Sequence, residues 1–199
     1  MSEVPDGVLL LRDFVNTAEP QVGGEDWTSP ETARDWLSAH GLLEPDAQLT
    51  PADLRRLRAL REGLREILHG HAGHEVDPAA LDALDAELAA VPLRMAFGLA
   101  GRPILTAVST RPGEVAVAGL LSAVQDAVHA GTWERLKACS RDTCRWAFYD
   151  ESRNRSARWC SMAGCGNIMK MRRAHARGAR PPARGHRQQE ARHRGDTRE

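Results

Sequence analysis

No stretch of this chain is apolar over the roughly 20 residues needed to cross a bilayer. The N-terminal apolar run Val8–Leu11 meets Arg12 and Asp13 at once, too soon for the apolar core of a secretory signal. Aromatic residues are scarce, with one Tyr and three Phe, so any small module far from the main core needs another source of stability. Lysine is absent from the first 130 residues. No Ser-His-Asp arrangement, phosphate-binding Gly loop or paired-carboxylate motif stands out, which argues against an enzyme. The reading is of a cytoplasmic protein. There thiols stay reduced, and clustered cysteines serve a metal more readily than a disulfide.

What is present is segregated. Residues 1–130 hold ten Arg against twenty Asp and Glu, whereas residues 131–199 hold fifteen Arg and two Lys against seven Asp and Glu. An acidic front and a basic back point to a nucleic-acid-facing C-terminus. Arg-rich codon usage accounts for the choice of Arg but not for its placement.

The front reads as mainly α. Ser29-Pro30, Thr50-Pro51 and Asp77-Pro78 are each an N-cap followed by proline at the first helical position. Gly41 and Pro92 mark stops. After Thr50, the residues Leu54, Leu57, Leu60, Leu64, Ile67 and Leu68 form an apolar face. Arg55, Arg58, Arg61, Arg65 and Glu62 form the other, polar face. Leu93–Ser109 reads as a short β-hairpin around Gly101. A last front helix covers about Gly113–Ala130 and is closed by Gly131. These helices are expected to build a core of their own. His69, His71 and His74 read as a solvated loop, and Asp13 and Asn16 as groups that cap or turn the backbone. The tail from Gly178 has three Ala and no larger apolar residue, so it is expected to be disordered.

All four cysteines fall in the pattern C-x4-C, fifteen residues, C-x4-C. Two pairs of soft ligands on tight turns predict one structural zinc ion held by Cys139, Cys144, Cys160 and Cys165. An iron–sulfur cluster uses the same thiolates at other spacings. Arg145–Asp150 alternates and reads as a strand, and Cys165–Arg177 as a helix. On that helix Lys170, Arg173 and Arg177 project together as a basic stripe. Ile168, Met171 and His175 lie on a different face, suited to packing on the metal core. With Arg153 and Arg155 between the cysteine pairs, the stripe residues are the candidate phosphate contacts.

The run Trp133 to Cys139, then Cys144-Arg145-Trp146-Ala147-Phe148-Tyr149-Asp150, Ser152-Arg153-Asn154, Arg158-Trp159-Cys160-Ser161-Met162, Cys165-Gly166-Asn167 and Lys170 resembles the CGNR zinc finger. That finger closes bacterial ABATE-type proteins, described as stress-induced transcription regulators. Asp13-Phe14-Val15-Asn16-Thr17 is similar to the opening motif of that family, and Trp36-Leu37 with Gly41-Leu42 to its first helix. One position departs: the Arg that completes the CGNR name is Ile168 here.

The resemblance implies an ABATE-like helical domain over residues 1–131 with a small β-hairpin. It implies a small α+β zinc-finger module over residues 132–177, and residues 178–199 follow as the basic tail. It further implies a zinc-dependent regulator that binds DNA, with a front domain that senses a small-molecule or protein effector or mediates assembly. The alternative is a zinc-stapled protein-interaction module that does not bind nucleic acid. No membrane partner is expected.

Overall fold

The computed structural model describes residues 4–99, 101, 103–176 and 178. Arg177 and nearly all of the expected disordered tail lie outside the described residues. In chain order the elements are α1 (Asp6–Val15), β1 (Ala18–Glu19), β2 (Gly24–Glu25), α2 (Pro30–Ala39), α3 (Pro51–His71), α4 (Pro78–Ala89), β3 (Leu93–Phe97), β4 (Pro103–Ala107) and α5 (Pro112–His129). A 3₁₀ turn (Trp133–Arg135), β5 (Leu136–Ala138), β6 (Ala147–Tyr149), a π turn (Met162–Gly166) and α6 (Asn167–Ala176) follow. The strands form three antiparallel two-stranded sheets, β1–β2, β3–β4 and β5–β6. The architecture is therefore mainly α with small β ribbons, as the sequence predicts.

The three cap-and-proline signals begin helices where they stand. Ser29 Oγ accepts the Thr32 N–H at 3.4 Å, and Thr32 Oγ1 in turn accepts the Ser29 N–H at 3.1 Å. Thr50 and Asp53 make the same reciprocal box at the start of α3. α1 carries no side-chain cap, yet it buries Val8, Leu11, Phe14 and Val15 against the core. Phe14, Trp27 and Trp36 meet there, with ring centroids 5.4 to 6.1 Å apart. α3 is the central element. Its Gly63 lets α4 approach: a Cβ there would lie 2.7 Å from Leu84 Cδ2 and 2.9 Å from Leu84 Cβ. Gly63→Ala is therefore expected to destabilise the fold by about 1–3 kcal/mol despite alanine's better helix propensity. Denaturant unfolding checks this, and a stabilised variant would show that α4 has room to shift.

Two features of the polar face of α3 differ from expectation. Arg61 and Arg65 are buried, because the face is covered by the chain after α1 and by the first cysteine loop. A buried guanidinium needs partners, and both have them. Arg61 grips Glu25 through both terminal nitrogens (2.8 and 2.7 Å) and also meets Glu62 and Thr17. Arg65 donates to the Val15 and Ala18 carbonyls (2.6 and 3.1 Å), the first of these left unpaired by the end of α1. It also donates to the Arg145 carbonyl at 3.1 Å.

The core does not stop at Gly131. Leu136, Ala138 and Ala147 are fully buried in the same cluster as the front helices, with Trp133 and Tyr149 packed against it. The β5–β6 hairpin lies on α1 and α3, so the front helices do not close their core without it.

Candidate metal centre and the basic surface around it

Each cysteine pair sits on a turn fixed by backbone hydrogen bonds. Cys139 follows β5 directly, and its N–H donates to the Trp146 carbonyl at 2.9 Å. The Cys144 N–H closes the loop onto the Arg141 carbonyl at 2.7 Å, and Arg145 then takes a left-handed conformation (φ 50°). Only a few per cent of non-glycine residues do so. Here the Arg145 carbonyl is held by Arg65 and its guanidinium by Glu66, both on α3. Of the second pair, Cys165 lies on the π turn and Cys160 two residues before it. Ser161 Oγ accepts the Gly164 N–H at 3.2 Å and the Ser161 carbonyl accepts the Gly166 N–H at 3.0 Å. The two loops are joined by the Ser140 N–H donating to the Arg158 carbonyl at 2.8 Å.

These turns bring Cys139, Cys144, Cys160 and Cys165 together, with all four sulfurs within 4.8 Å of one another. Cys144–Cys160 and Cys160–Cys165 are each 3.8 Å apart. A tetrahedron with Zn–S bonds of about 2.3 Å has S···S edges of about 3.8 Å, so the cluster has the size of a zinc–thiolate site. Four soft ligands in that geometry select zinc over hard divalent cations. The cofactor is thus one structural Zn²⁺, with the four ligand positions taken by protein.

Two of the thiols, Cys144 and Cys160, resist ionisation. Burial, backed by the neighbouring Cys139, pushes Cys144 up to about 11. Burial and the charges of Cys139 and Cys144 push Cys160 higher still. Burial also acts to raise Cys165, but the Arg141 N–H 3.8 Å away and the adjacent thiols outweigh it and lower it. A dication binds the cysteines as thiolates, so binding releases protons and weakens in acid.

Several residues that hold the centre were not legible as such. Asn16 does not simply turn its own backbone: its side chain donates to the Ala147 carbonyl at 2.9 Å and accepts the Ala147 N–H at 2.8 Å, pairing with β6 like a strand edge. His71 is not solvated but bonds the Leu136 carbonyl at 2.9 Å and sits edge-on to Trp133. His69 stacks on His74 at 4.0 Å. Lys137 and Asp150 form a buried ion pair at 2.7 Å. Lys137 also donates to the Arg155 and Ala157 carbonyls, while Asp150 accepts the Ser152 and Ala157 N–H groups. The pair therefore shapes the loop that carries Arg153 and Arg155. Arg135 is likewise committed, to the Asp150 and Ser152 carbonyls. Asp13 pairs with its neighbour Arg12 at the surface.

The candidate phosphate contacts divide in two groups. Arg153 and Arg155 are exposed on the loop, with Arg155 3.8 Å from Glu134. Lys170 and Arg173 are exposed on α6, as is Arg172, which lies outside the expected stripe. The expected packing of Ile168, Met171 and His175 on the metal core is not found. No residue of α6 is buried, and Met171 is 52% exposed. The space around the sulfurs is filled by Trp146 and Trp159, and α6 touches the rest of the protein chiefly through the π turn. Without a packed face the helix has no solvent face to prefer, so Arg172 is as available as Lys170.

A helical protein whose last strands join its core and carry a metal centre beside it is thus the class that the geometry defines. Residues 10–138 match the ABATE family, whose description is "Putative stress-induced transcription regulator". The chain belongs to that family. Residues 135–178 match the CGNR zinc finger. The two matches overlap on β5, the strand that the front core and the metal centre share. No curated protein matches the sequence significantly.

Proposed function

We propose that the protein is a zinc-dependent DNA-binding transcription regulator whose helical front domain senses an effector or mediates assembly. The supporting observation is α6. It starts two residues after a zinc ligand, runs about 15 Å, carries Lys170, Arg172 and Arg173, and buries no side chain. A helix of this kind has the free surface and charge to enter a major groove about 12 Å wide. Arg153 and Arg155, set by the Lys137–Asp150 pair, add phosphate contacts beside it. The second reading, a protein-interaction module, is favoured by one fact: Met162, Ile168 and Met171 leave apolar surface exposed on the same turn and helix.

Salt dependence separates the two. Each phosphate contact contributes about −0.9 to the log–log slope of affinity against salt. Changing Lys170, Arg172 and Arg173 to Ala is expected to flatten that slope by about two to three units, similarly for all duplex sequences. Ile168→Arg is expected to steepen it by about one unit. Fluorescence anisotropy titrations between low and physiological salt read both. If the zinc-loaded protein shows no salt-sensitive binding, the interaction-module reading stands instead.

A further inference from the structure

The four zinc ligands are not equally protected. Cys139, Cys144 and Cys165 are buried, whereas Cys160 is half-buried. The Cys139 N–H is held by the Trp146 carbonyl and the Cys144 N–H by the Arg141 carbonyl, and Cys165 sits inside the π turn. The Cys160 N–H and C=O make no hydrogen bond among the described residues. Residues 150–161, which deliver it, form neither helix nor strand. Cys160 is thus the ligand with the weakest hold on its place.

Cys160 also lines a cavity of about 370 Å³ between α1 and β6, walled by Leu9, Asn16, Trp146, Phe148 and Tyr149. None of the other three cysteines lines it. One molecule of liquid water takes up about 30 Å³, so a solute as small as hydrogen peroxide has ample room to enter. On the other side, the Cys160 sulfur lies 3.8 Å from that of Cys144 and 3.8 Å from that of Cys165. Redox-sensing cysteines combine thiolate form, access and a second thiol close by. As a zinc ligand Cys160 is a thiolate, and the fold supplies the other two.

We infer that Cys160 is the oxidation site of the metal centre, and that a small peroxide acting there takes the site apart reversibly. The Cys160 thiolate attacks one peroxide oxygen. An S–O bond forms, the O–O bond breaks, and the other oxygen leaves as hydroxide and is protonated to water. The thiolate of Cys144 or Cys165 then attacks the Cys160 sulfur, forming the disulfide and expelling the second oxygen, likewise protonated to water. Each of the two cysteines loses one electron, the peroxide gains both, and solvent supplies two protons. The two remaining thiolates cannot fill the four positions that a structural zinc requires. Because β5 and β6 belong to the front core, the oxidised protein should melt like the chelated one. The inference rests on the zinc-dependent reading of the module and not on DNA binding.

The zinc-loaded full chain, treated with a small molar excess of hydrogen peroxide, is expected to release its zinc to a chromogenic chelator. A dithiol with added zinc should restore the metal. In partly oxidised samples, alkylation of the free thiols and mass spectrometry should find Cys160 in the first disulfide formed. Cys160→His keeps a zinc-ligating group and should slow release by about tenfold or more, whereas Cys165→His should stay within about twofold of the wild-type rate. Zinc content is measured first, and if a His variant binds no zinc the disulfide map of the wild type decides. Zinc retained under peroxide, a first disulfide that omits Cys160, or unchanged release from zinc-loaded Cys160→His would overturn the inference.

Discussion

Stripping zinc from the folded protein, or replacing Cys160 with Ser, is expected to unfold the C-terminal module and to lower the melting temperature of the helical front by about 10 °C. The first effect follows from the size of the metal term. Apparent zinc binding in finger peptides is worth about 10–16 kcal/mol, and Trp146 and Trp159 alone form little core around the sulfurs. The second effect follows from shared parts. β5 and β6 flank the first cysteine loop and contribute Leu136, Ala138 and Ala147, all fully buried, to the front core. Asn16 is bonded to β6, and Arg65 to the carbonyl next to Cys144. Once that loop is lost, burial on the order of one leucine, about 2–3 kcal/mol, goes with it, which is about 10 °C for a domain of this size. Calorimetry with and without chelator reads both transitions, and elemental analysis should give one zinc per chain. A front transition unmoved by chelation would show that β5 and β6 stay docked without the metal. A truncation after Gly131 should behave worse than the chelated protein, because it removes the hairpin outright.

The second large effect is expected at Asp150. Asp150→Ala leaves the Lys137 ammonium buried with only carbonyl partners and frees two backbone N–H groups, at a cost of about 3–5 kcal/mol. The pair also predicts a pH signature. Burial acts to raise the Asp150 carboxyl, but hydrogen bonds from Lys137, Ser152 and Ala157 outweigh it and hold it below its ordinary value of 3.8. A carboxylate depressed in the folded state stabilises fully above its unfolded value, and that stability is lost as pH falls through the folded one. The wild type should therefore lose stability below about pH 4 more steeply than Asp150→Asn, whose own stability is lower but flatter there. Denaturant midpoints from pH 6 to 3 test this; parallel curves would mean that Asp150 does not supply the acid sensitivity.

What the sequence discloses is local. Ser29, Thr50 and Asp77 announce their helices because a cap and its partner lie within three residues. The cysteines announce their metal because ligand type and spacing are chemically restrictive. Arg65 is different. Its position on the polar face of α3 looks like any solvated arginine, and its partner carbonyl at Arg145 is 80 residues away. Asn16 and Ala147 are separated by 131 residues, and no periodicity in α1 forecasts their pairing. α6 departs from its expected packing for the opposite reason. Ile168 and Met171 have the spacing of a packed face, but among the described residues nothing covers them, and both stay exposed. Spacing records which residues share a face, and only the tertiary contacts decide whether that face is covered.

These contacts assign the basic residues of the back half to two jobs. Arg145 ties the zinc module to the front domain through Glu66, and Arg135 and Lys137 fix the loop within the module, while Arg153, Arg155, Lys170, Arg172 and Arg173 are exposed at the surface. The direct test of that division is genome-wide immunoprecipitation of the tagged protein, in parallel with its Lys170, Arg172 and Arg173 to Ala variant. Discrete promoter peaks for the wild type, lost in a variant that still binds zinc and melts normally, are the expected result. A zinc-loaded wild type that yields no peaks above the untagged control would contradict it.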